Sequence, residues 1–279
     1  MADSQALARA SKGVQGGSSE WMEFNRAGAF DTDGGLALVA PFPPAELMQN
    51  TTGLTENRHF AEHGVAIFDA LEKASPKPLN SYTNVLDFGV GVGRLARMFH
   101  GFDGTYTGVD IDKRHIKWVT RALKHVTPVL TKPRAPIPLA DGQFDMIVSI
   151  SVFTHMNEAD CMFYIEELAR LAAPGAYLFL TIHGNRALNR ARAEENILAM
   201  LAIPEQDVKE AGRALQDTGF RFVRQDGHLT SDKYEYGITF IGEKYLRRAW
   251  APMFESFKVI SGAIHDFQDI VVLKKREAD

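Results

Sequence analysis

The sequence predicts a doubly wound α/β sandwich built on a seven-stranded, mostly parallel sheet. Between residues 84 and 182, short apolar strands alternate with helices of roughly 10 to 15 residues, which is the pattern of successive βαβ units. Residues 144–149 are apolar almost throughout, as a strand covered on both faces requires. The apolar runs 257–260 and 269–273, with Gly262 as the expected turn, predict a terminal hairpin that completes the sheet.

Most single elements follow from local periodicity. Phe60, Ile67 and Leu71 recur at helical spacing and predict a helix from about Thr55 to Lys73, which Ser75-Pro76 ends. The other predicted elements are strands at residues 84–88, 105–109 and 177–182, a helix that includes Leu95–Phe99, a helix at Lys113–His125, and a helix capped by Asn157 with Asp160 three residues later.

The chain is expected to contain a tail, a lid and a main domain with an inserted cap. Residues 1–30 predict a mobile tail without a secretory signal, because the first twenty are rich in Ala, Ser, Gly and Gln and have no apolar segment. Residues 31–80 predict an N-terminal helical lid and residues 81–279 the main domain. The cap is expected at about 184–254, with helices near 185–201, 205–218 and 243–253 and apolar runs at 220–223 and 236–241.

The composition of the 279 residues is that of an ordinary globular protein, with 45% hydrophobic residues and a net charge of −4. This charge gives no reason to expect a nucleic acid as partner. No apolar run approaches the roughly 18 residues of a membrane span. The single cysteine, Cys161, allows neither an internal disulfide nor a Cys-rich metal site. We therefore expect a soluble, cytoplasmic protein without a metal, and the oligomeric state stays open.

The segment that carries most chemical information is VLDFGVGVGR, residues 85–94. An apolar strand runs into Asp87 and then into three alternate glycines, Gly89, Gly91 and Gly93. Glycines let a backbone turn sharply and approach a ligand with no Cβ in the way. The helix expected after them would offer unpaired N–H groups. The segment therefore predicts a ligand-binding loop.

This loop departs from two common phosphate-binding patterns. A dinucleotide fingerprint has Gly-x-Gly-x-x-Gly, whereas the third glycine here comes one residue early. A phosphate loop ends in Gly-Lys-Ser/Thr, whereas Gly93 is followed by Arg94. Because Asp87 would repel an anion, a cationic or zwitterionic ligand suits the loop better. The alternative is an ordinary tight turn between a strand and a helix.

The second strand ends in another acidic residue, Asp110, roughly twenty residues after the loop. In doubly wound sheets a carboxylate at this position accepts hydrogen bonds from both hydroxyls of a ribose. Ile111 could then lie against an adenine face. The alternative role of Asp110 is to cap the following helix, but Asp112 is better placed for that.

Taken together, these segments resemble class I S-adenosylmethionine-dependent methyltransferases. The resemblance is strong over about residues 84–184 and implies a Rossmann-like fold with S-adenosylmethionine as cofactor. The C-terminal strand and the upstream Phe42-Pro43-Pro44 also resemble a bacterial subgroup of small-molecule methyltransferases, often associated with glycan or secondary-metabolite assembly. The matching motifs are VLDFGVGVGR (85–94), GVDID (108–112), DGQFDMIVSISVFTHM (141–156), LAAPGAYLFLTIHG (171–184) and QDIVVLKK (268–275).

The resemblance implies a role for each matching position. Asp87 and the backbone of the glycine loop would hold the methionine end of the cofactor, and Asp110 its ribose. Residues 149–155 would line the site of methyl transfer. The implied cofactor-binding residues are Asp87, Gly89, Gly91, Gly93, Arg94, Asp110, Ile111 and Ser151.

Differences from the motifs of nucleobase methyltransferases reduce the number of possible acceptors. Enzymes that methylate amino groups of nucleobases carry Asn/Asp-Pro-Pro-aromatic where this chain has Ser151-Val152-Phe153-Thr154. A cytosine C5-methyltransferase needs a cysteine nucleophile, and Cys161 lies in a predicted helix well past the site. We therefore expect methyl transfer to a small molecule, more readily to a hydroxyl than to an amine. The alternatives are an N-methyltransferase on a small amine, an aminopropyl transferase, and a non-catalytic cofactor-binding partner. The aminopropyl transferase is disfavoured, because residues 149–156 contain no acidic residue that could hold a polyamine.

Three histidines are candidates for a general base. Methyl transfer needs mainly alignment, and a base is required only if the acceptor must lose a proton. His155 and His183 follow strands at their carboxyl ends, where ligands of such sheets bind, and His265 is expected in the turn of the terminal hairpin. Each of them could instead have a purely structural role. Tyr234 and Tyr236 are expected to contribute to the cap.

Overall fold

The computed structural model describes residues 18–28, 31, 33–36, 38–225 and 234–277. Most of the predicted tail, residues 1–17, 29 and 30, and residues 226–233 of the predicted cap lie outside this part of the chain. The chain divides into two compact units, residues 1–130 and 131–279.

The first unit contains α-helices, parallel strands and short 3₁₀ helices. Its strands pair in parallel, with Asn84 opposite Thr105 and Tyr106 opposite Val126. Four of the five residues of its first strand are buried, as a sheet covered on both faces requires. In chain order the elements are α1 (Ser18–Arg26), α2 (Asp33–Leu36), α3 (Ala45–Thr52), α4 (Asn57–Ala74), the 3₁₀ helix Leu79–Ser81, β1 (Asn84–Phe88), the 3₁₀ helix Ala96–Phe99, β2 (Thr105–Asp110), α5 (Lys113–Ala122) and β3 (Val126–Leu130).

The second unit begins with β4 and ends with the terminal hairpin. β4 and β5 are parallel, and β5 pairs antiparallel with β9, which pairs antiparallel with β8. Among the described residues β6 and β7 form a separate two-stranded antiparallel sheet. The elements are β4 (Phe144–Ser149), α6 (Glu158–Leu171), β5 (Ala172–Ile182), α7 (Asn185–Ala193), α8 (Glu195–Leu201), α9 (Glu205–Asp217), β6 (Phe220–Arg224), β7 (Gly237–Ile241), α10 (Glu243–Ala249), β8 (Ser256–Ile264) and β9 (Gln268–Lys274).

The strand order of the large sheet is β3-β2-β1-β4-β5-β9-β8. With helices between its parallel strands and an antiparallel terminal hairpin, this sheet confirms the predicted doubly wound, mostly parallel α/β class. Among the residues that the structure describes, every helix is too short or too polar to cross a membrane.

Described residues between 187 and 240, together with Phe267, form a hydrophobic cluster around α7, α8, α9 and the small sheet. Leu188, Val208 and Phe240 are among its most buried members. The predicted single helix at 185–201 is in fact two helices, since Glu194 adopts an extended conformation between them. The helix predicted at 243–253 ends at Ala249, and a short 3₁₀ helix that contains Pro252 follows it.

Several other boundaries differ from the sequence-based prediction. Leu95–Phe99 does not belong to an α-helix, because only the 3₁₀ helix Ala96–Phe99 follows the glycine loop. The helix from Lys113 ends at Ala122 rather than at His125. β5 begins at Ala172 and runs through Pro174-Gly175, whereas the sequence pattern predicts that the strand begins after this pair.

The turn of the terminal hairpin is a further correction. Gly262 lies inside β8 with a φ of +61° and coincides with a register shift between Ile260 and Ile264. The chain reverses at residues 265–267 instead, where His265 and Asp266 both adopt left-handed conformations. The prediction that His265 lies in the hairpin turn is therefore correct, whereas the prediction of the turn at Gly262 is wrong.

Candidate active site

The glycine loop follows β1 and is shaped by three left-handed glycines. Gly89, Gly91 and Gly93 have φ values of +83°, +54° and +81°. The backbone N–H groups of Gly89 and Val90 both donate to the carbonyl of Val109, at 2.9 and 3.0 Å, and fold the loop onto the end of β2. Residues with a side chain rarely adopt such φ values, so the sequence of alternate glycines is what allows this turn.

Gly93 is also required by packing. A Cβ at this position would lie 2.3 Å from Cδ1 of Leu123, a buried residue just after α5. Trp118 of α5 donates from Nε1 to the carbonyl of Val92 at 3.2 Å. The loop is therefore held against α5 on one side and β2 on the other.

Asp87 lies at the start of this loop and is buried, with 3% of its surface exposed. Its Oδ2 accepts a 2.8 Å hydrogen bond from the hydroxyl of Tyr106. Burial is the main cause that raises the pKa of Asp87 to about 7. The charge of Asp110 adds to this rise, whereas the Tyr106 hydrogen bond and Arg94 oppose it. Burial also lowers the pKa of Arg94 to about 10. The carboxylate of Asp87 is thus poorly compensated, and a cationic ligand group would stabilise it.

Asp110, at the end of β2, is also buried and is held by backbone donors. Oδ2 accepts from the N–H of Gly91 at 2.8 Å, and Oδ1 accepts from the N–H of Asp112 at 2.7 Å. Asp112 in turn caps α5, because its side chain accepts from the N–H of Arg114. Asp112 is therefore the N-cap of α5, as the sequence pattern predicts. Ile111 remains 40% exposed between the two acids, which leaves an apolar surface open beside Asp110.

Sequence reasoning missed two polar residues that contact Asp110 directly or through one neighbour. His115 on α5 places Nδ1 3.3 Å from Oδ2 of Asp110. Its Nε2 lies 2.9 Å from Oγ1 of Thr51, at the end of α3. His115 could have been noticed as a polar residue one turn into the helix that follows Asp110. Nothing in the sequence links Thr51 to it.

In the second unit, His155 follows β4 and stacks on Tyr236. The ring centroids are 4.6 Å apart and the planes differ by 14°. Nδ1 of His155 lies 2.9 Å from the carbonyl of Gly237, which can only accept, so Nδ1 carries the hydrogen. In the neutral ring Nε2 is then the acceptor nitrogen, and it lies 3.4 Å from the hydroxyl of Tyr236, within hydrogen-bonding distance.

His183 follows β5 and lies 6.3 Å from His155 between ring centroids. It is 4% exposed, and burial, reinforced by His155, lowers its pKa to about 3. Nδ1 of His183 has no hydrogen-bond partner among the described residues. Its backbone carbonyl accepts from the N–H of Ile241, which joins the end of β5 to β7. His183 is therefore a neutral, buried ring.

The third candidate histidine, His265, has a different environment. It is exposed in the hairpin turn with a φ of +54°, and its carbonyl accepts from Arg190 at 3.3 Å. The structure thus brings His155 and His183 together with Tyr236, whereas His265 occupies a solvent-exposed turn.

Ser151, predicted to contact the cofactor, is left-handed with a φ of +58°. Its N–H donates to Oγ1 of Thr181 at 2.7 Å, and its Oγ is hydrogen-bonded to Gln268 at 2.9 Å. The loop after β4 is therefore fixed by β5 and β9. Sequence reasoning did not identify Thr181 or Gln268, which lie 30 and 117 residues away along the chain.

The fold and the glycine loop define a doubly wound α/β protein whose ligand loop lies at the carboxyl end of β1. A family model described as a methyltransferase domain matches residues 58–225, more than half of the chain. The chain therefore belongs to this methyltransferase family, as the sequence motifs predicted.

Individual relatives are distant. Ajmaline N-methyltransferase of Rauvolfia serpentina is 26% identical over 113 residues, which are 38% of this chain and 38% of that protein. The PH0226 protein of Pyrococcus horikoshii OT3 has a similar structure, with a TM-score of 0.57 and 16% identity over 85% of this chain and all of its own. The cyclase SpnF also has this fold, with a TM-score of 0.52 and 11% identity over 86% of this chain and 99% of its own. The fold alone therefore does not define the reaction.

Proposed function

We propose that this protein transfers the methyl group of S-adenosylmethionine to a hydroxyl of a small molecule. The observation that carries the proposal is the glycine loop with a buried carboxylate on β1 and a second carboxylate, Asp110, hydrogen-bonded to its central glycine. A small acceptor rather than a nucleic acid agrees with the net charge of −4.

The loop has the chemistry that the methionine end of this cofactor requires. Asp87 is buried with a raised pKa, so an ammonium or sulfonium nearby would favour its charged form. Gly89, Gly91 and Gly93 allow the left-handed backbone that folds the loop beside Asp87. Arg94, next to them, partly balances the charge of Asp87. A phosphate group would face the carboxylate instead, which disfavours NAD.

We assign the nucleoside end of the cofactor to Asp110, the last residue of β2, and to Ile111, which follows it. The two oxygens of Asp110 are oriented by backbone donors and keep lone pairs for ribose hydroxyls. Ile111 is exposed beside them and offers an apolar contact for adenine.

In the second unit, we assign the acceptor chemistry to His155. When bound, the cofactor supplies a methyl group activated by a sulfonium. His155 donates from Nδ1 to Gly237, so Nε2 is the nitrogen that can take the proton of an acceptor hydroxyl. Tyr236 stacks on the ring and holds its plane. We propose that His183 supports His155, that Ser151 helps to line the site, and that residues at about 184–254 form the cap.

A small amine is the second candidate acceptor, and the similarity to ajmaline N-methyltransferase favours it. An amine that binds as an ammonium would need a carboxylate near the site to attract it and to take its proton, because only the neutral amine has the lone pair that attacks the methyl group. Glu235 is the acid next to Tyr236, but it is paired with Arg224 and accepts from Asn157. This environment agrees better with a neutral hydroxyl.

Calorimetry tests the cofactor. S-adenosylmethionine and S-adenosylhomocysteine should bind with about micromolar affinity, roughly −8 kcal/mol, whereas NAD should not bind. Asp110→Asn keeps the shape of the side chain and should weaken S-adenosylhomocysteine by about 1.5–3 kcal/mol. Binding of NAD without heat from either adenosyl compound would overturn the proposal.

Product analysis separates the two acceptor classes. A panel of hydroxylated and amine acceptors is incubated with the protein and S-adenosylmethionine, and mass spectrometry then detects a methylated product. Products from the hydroxylated compounds alone support the proposal. If only the amines give methylated products, the acceptor is an amine rather than a hydroxyl, and the cofactor assignment is unaffected.

A further inference from the structure

The hydrogen bonds around His115 show where each hydrogen lies. The hydroxyl of Thr51 donates to the carbonyl of Leu47 at 2.8 Å, because a carbonyl can only accept. A hydroxyl has one hydrogen, so Thr51 offers only a lone pair to Nε2 of His115, 2.9 Å away. Nε2 of His115 must therefore carry a hydrogen and donate it to Thr51.

This assignment leaves an unresolved contact on the other side of the ring. In a neutral imidazole with hydrogen on Nε2, Nδ1 is an acceptor. Nδ1 of His115 lies 3.3 Å from Oδ2 of Asp110, and a carboxylate oxygen is also an acceptor. The other two contacts of Asp110, with Gly91 and Asp112, each include a backbone donor. A donor is therefore missing between His115 and Asp110.

We propose that His115 is a second ribose-binding residue, and that one ribose hydroxyl of the cofactor donates jointly to its Nδ1 and to Oδ2 of Asp110. This inference rests on the proposed function, which places the ribose at Asp110. The side chains of His115 and Asp110 are 13% and 9% exposed, so they are largely desolvated but not sealed from a ligand. A ligand hydroxyl supplies the hydrogen that the pair lacks.

Thr51 acts in this arrangement as a positioning residue. It holds the His115 tautomer that leaves Nδ1 free to accept. It also packs on the loop, since a Cβ at Gly91 would lie 2.9 Å from Cγ2 of Thr51. Thr51 lies in the last turn of α3, so the helix of the N-terminal segment is tied to the ribose-binding residues through one hydrogen bond.

A doubly protonated His115 is the competing interpretation. An imidazolium would donate to Asp110 from Nδ1 and to Thr51 from Nε2, and it would need no ligand hydroxyl. Asp112, with Oδ2 3.9 Å from Nε2, and Asp110 are the carboxylates that face the ring. ¹⁵N NMR of the ligand-free protein distinguishes the two forms, because our proposal requires one protonated and one unprotonated ring nitrogen. Two protonated nitrogens at neutral pH would overturn it.

Binding experiments test the proposal with matched variants. His115→Gln keeps an amide near Nε2 but removes the acceptor at Nδ1, whereas His115→Asn keeps an oxygen near Nδ1. We expect S-adenosylhomocysteine to bind about tenfold more weakly to His115→Gln and within about threefold of wild type to His115→Asn. Thr51→Val should weaken binding about threefold and should add nothing in combination with His115→Gln.

Deoxy analogues show whether the effect is specific to the ribose. Wild type should lose affinity when either the 2′- or the 3′-hydroxyl of S-adenosylhomocysteine is removed. For one of these analogues His115→Gln should bind as wild type does, within about twofold. An equal loss for the parent compound and both analogues would show a merely structural role and contradict the proposal. If Asp110→Asn weakens binding while His115→Gln does not, only this inference fails. If wild type binds no adenosyl compound, the proposed function fails with it.

Discussion

Tyr106 on β2 donates a 2.8 Å hydrogen bond to Asp87 on β1, and both side chains are buried. The parallel register places Tyr106 opposite Val85 and Asp87 opposite Gly108. The phenol therefore reaches diagonally to the first acid of the loop. Burial nevertheless raises the pKa of Asp87 to about 7, so one hydrogen bond does not offset the desolvation of this carboxylate.

Cofactor affinity should depend on the ionisation of Asp87. Only its charged form attracts a ligand ammonium, and the pKa of about 7 means that protonation begins near neutral pH. The Kd of S-adenosylhomocysteine should be constant above about pH 8 and should rise roughly tenfold per unit well below about pH 7. Calorimetry from about pH 5.5 to about pH 8.5 measures this. Asp87→Asn should bind more weakly with a flatter profile, and a flat wild-type profile would contradict the assignment.

Asp87 should also destabilise the ligand-free fold above neutral pH. Its pKa is raised from 3.8, the ordinary value of an aspartate, to about 7 in the fold, so the folded state binds more protons between these values. Stability therefore falls as pH rises through this window. Asp87→Asn should increase the free energy of unfolding by on the order of 1–3 kcal/mol at about pH 8 and change it little at about pH 4. Urea unfolding at both pH values measures it, and an equal effect at both would refute the argument.

Gly93 should tolerate substitution less well than a glycine with similar backbone geometry. Gly53, the C-cap of α3, has a φ of +73°, and a Cβ added there would meet nothing within 4 Å. Gly53→Ala should therefore cost only about 1–2 kcal/mol of backbone strain. Gly93→Ala adds the collision with Leu123 and should cost about 1–3 kcal/mol more. Equal losses in urea unfolding would show that Leu123 moves freely.

β3 shows why the sequence predicts the fold class but not every strand of the sheet. The run Val126–Leu130 contains Pro128, which lacks a backbone donor and argues against a strand. β3 is an edge strand, with β2 as its neighbour in the sheet, and there proline is tolerated. The predicted strands therefore lacked one member of the seven-stranded sheet. Tertiary position, rather than local pattern, determines this element.

The candidate site likewise contains some residues that local sequence predicts and others that depend on tertiary packing. Asp87 and Asp110 are predictable because each lies at the end of an apolar strand, and this information is contained in a few consecutive residues. Thr51 and His115 are 64 residues apart and meet only because α3 packs on the glycine loop. A hydrogen bond over this separation leaves no periodic signal.

Arg97 should hold the N-terminal segment in place. Its side chain is fully buried, donates to the carbonyls of Ala40 and Pro41, and lies 3.8 Å from the ring centroid of Phe42. A lysine side chain cannot donate to both carbonyls and also stack on the ring. Arg97→Lys should therefore lower the free energy of unfolding by about 2–4 kcal/mol. Amide hydrogen exchange should accelerate at residues 38–52 and less at residues 105–110. Unchanged exchange at residues 38–52 would contradict this role.

The three candidate histidines should differ in their effect on turnover. If His155 takes the acceptor proton, His155→Ala should lower kcat by roughly 10²–10⁴-fold while the Kd of S-adenosylhomocysteine is preserved. His265, exposed in the hairpin turn, is the control, and His265→Ala should lower kcat by less than about tenfold.

The pH–rate profile separates a base from a structural ring. Protonation of Nε2 would remove the base, so wild-type kcat should fall at low pH and this limb should be lost in His155→Ala. His183 has a pKa of about 3 because it is buried, and it stays neutral over the working range. His183→Gln should therefore lower stability and leave the low-pH limb in place. If instead methyl transfer needs alignment alone, His155→Ala will lower kcat by less than about tenfold, and the pH–rate profile will follow the ionisation of the acceptor.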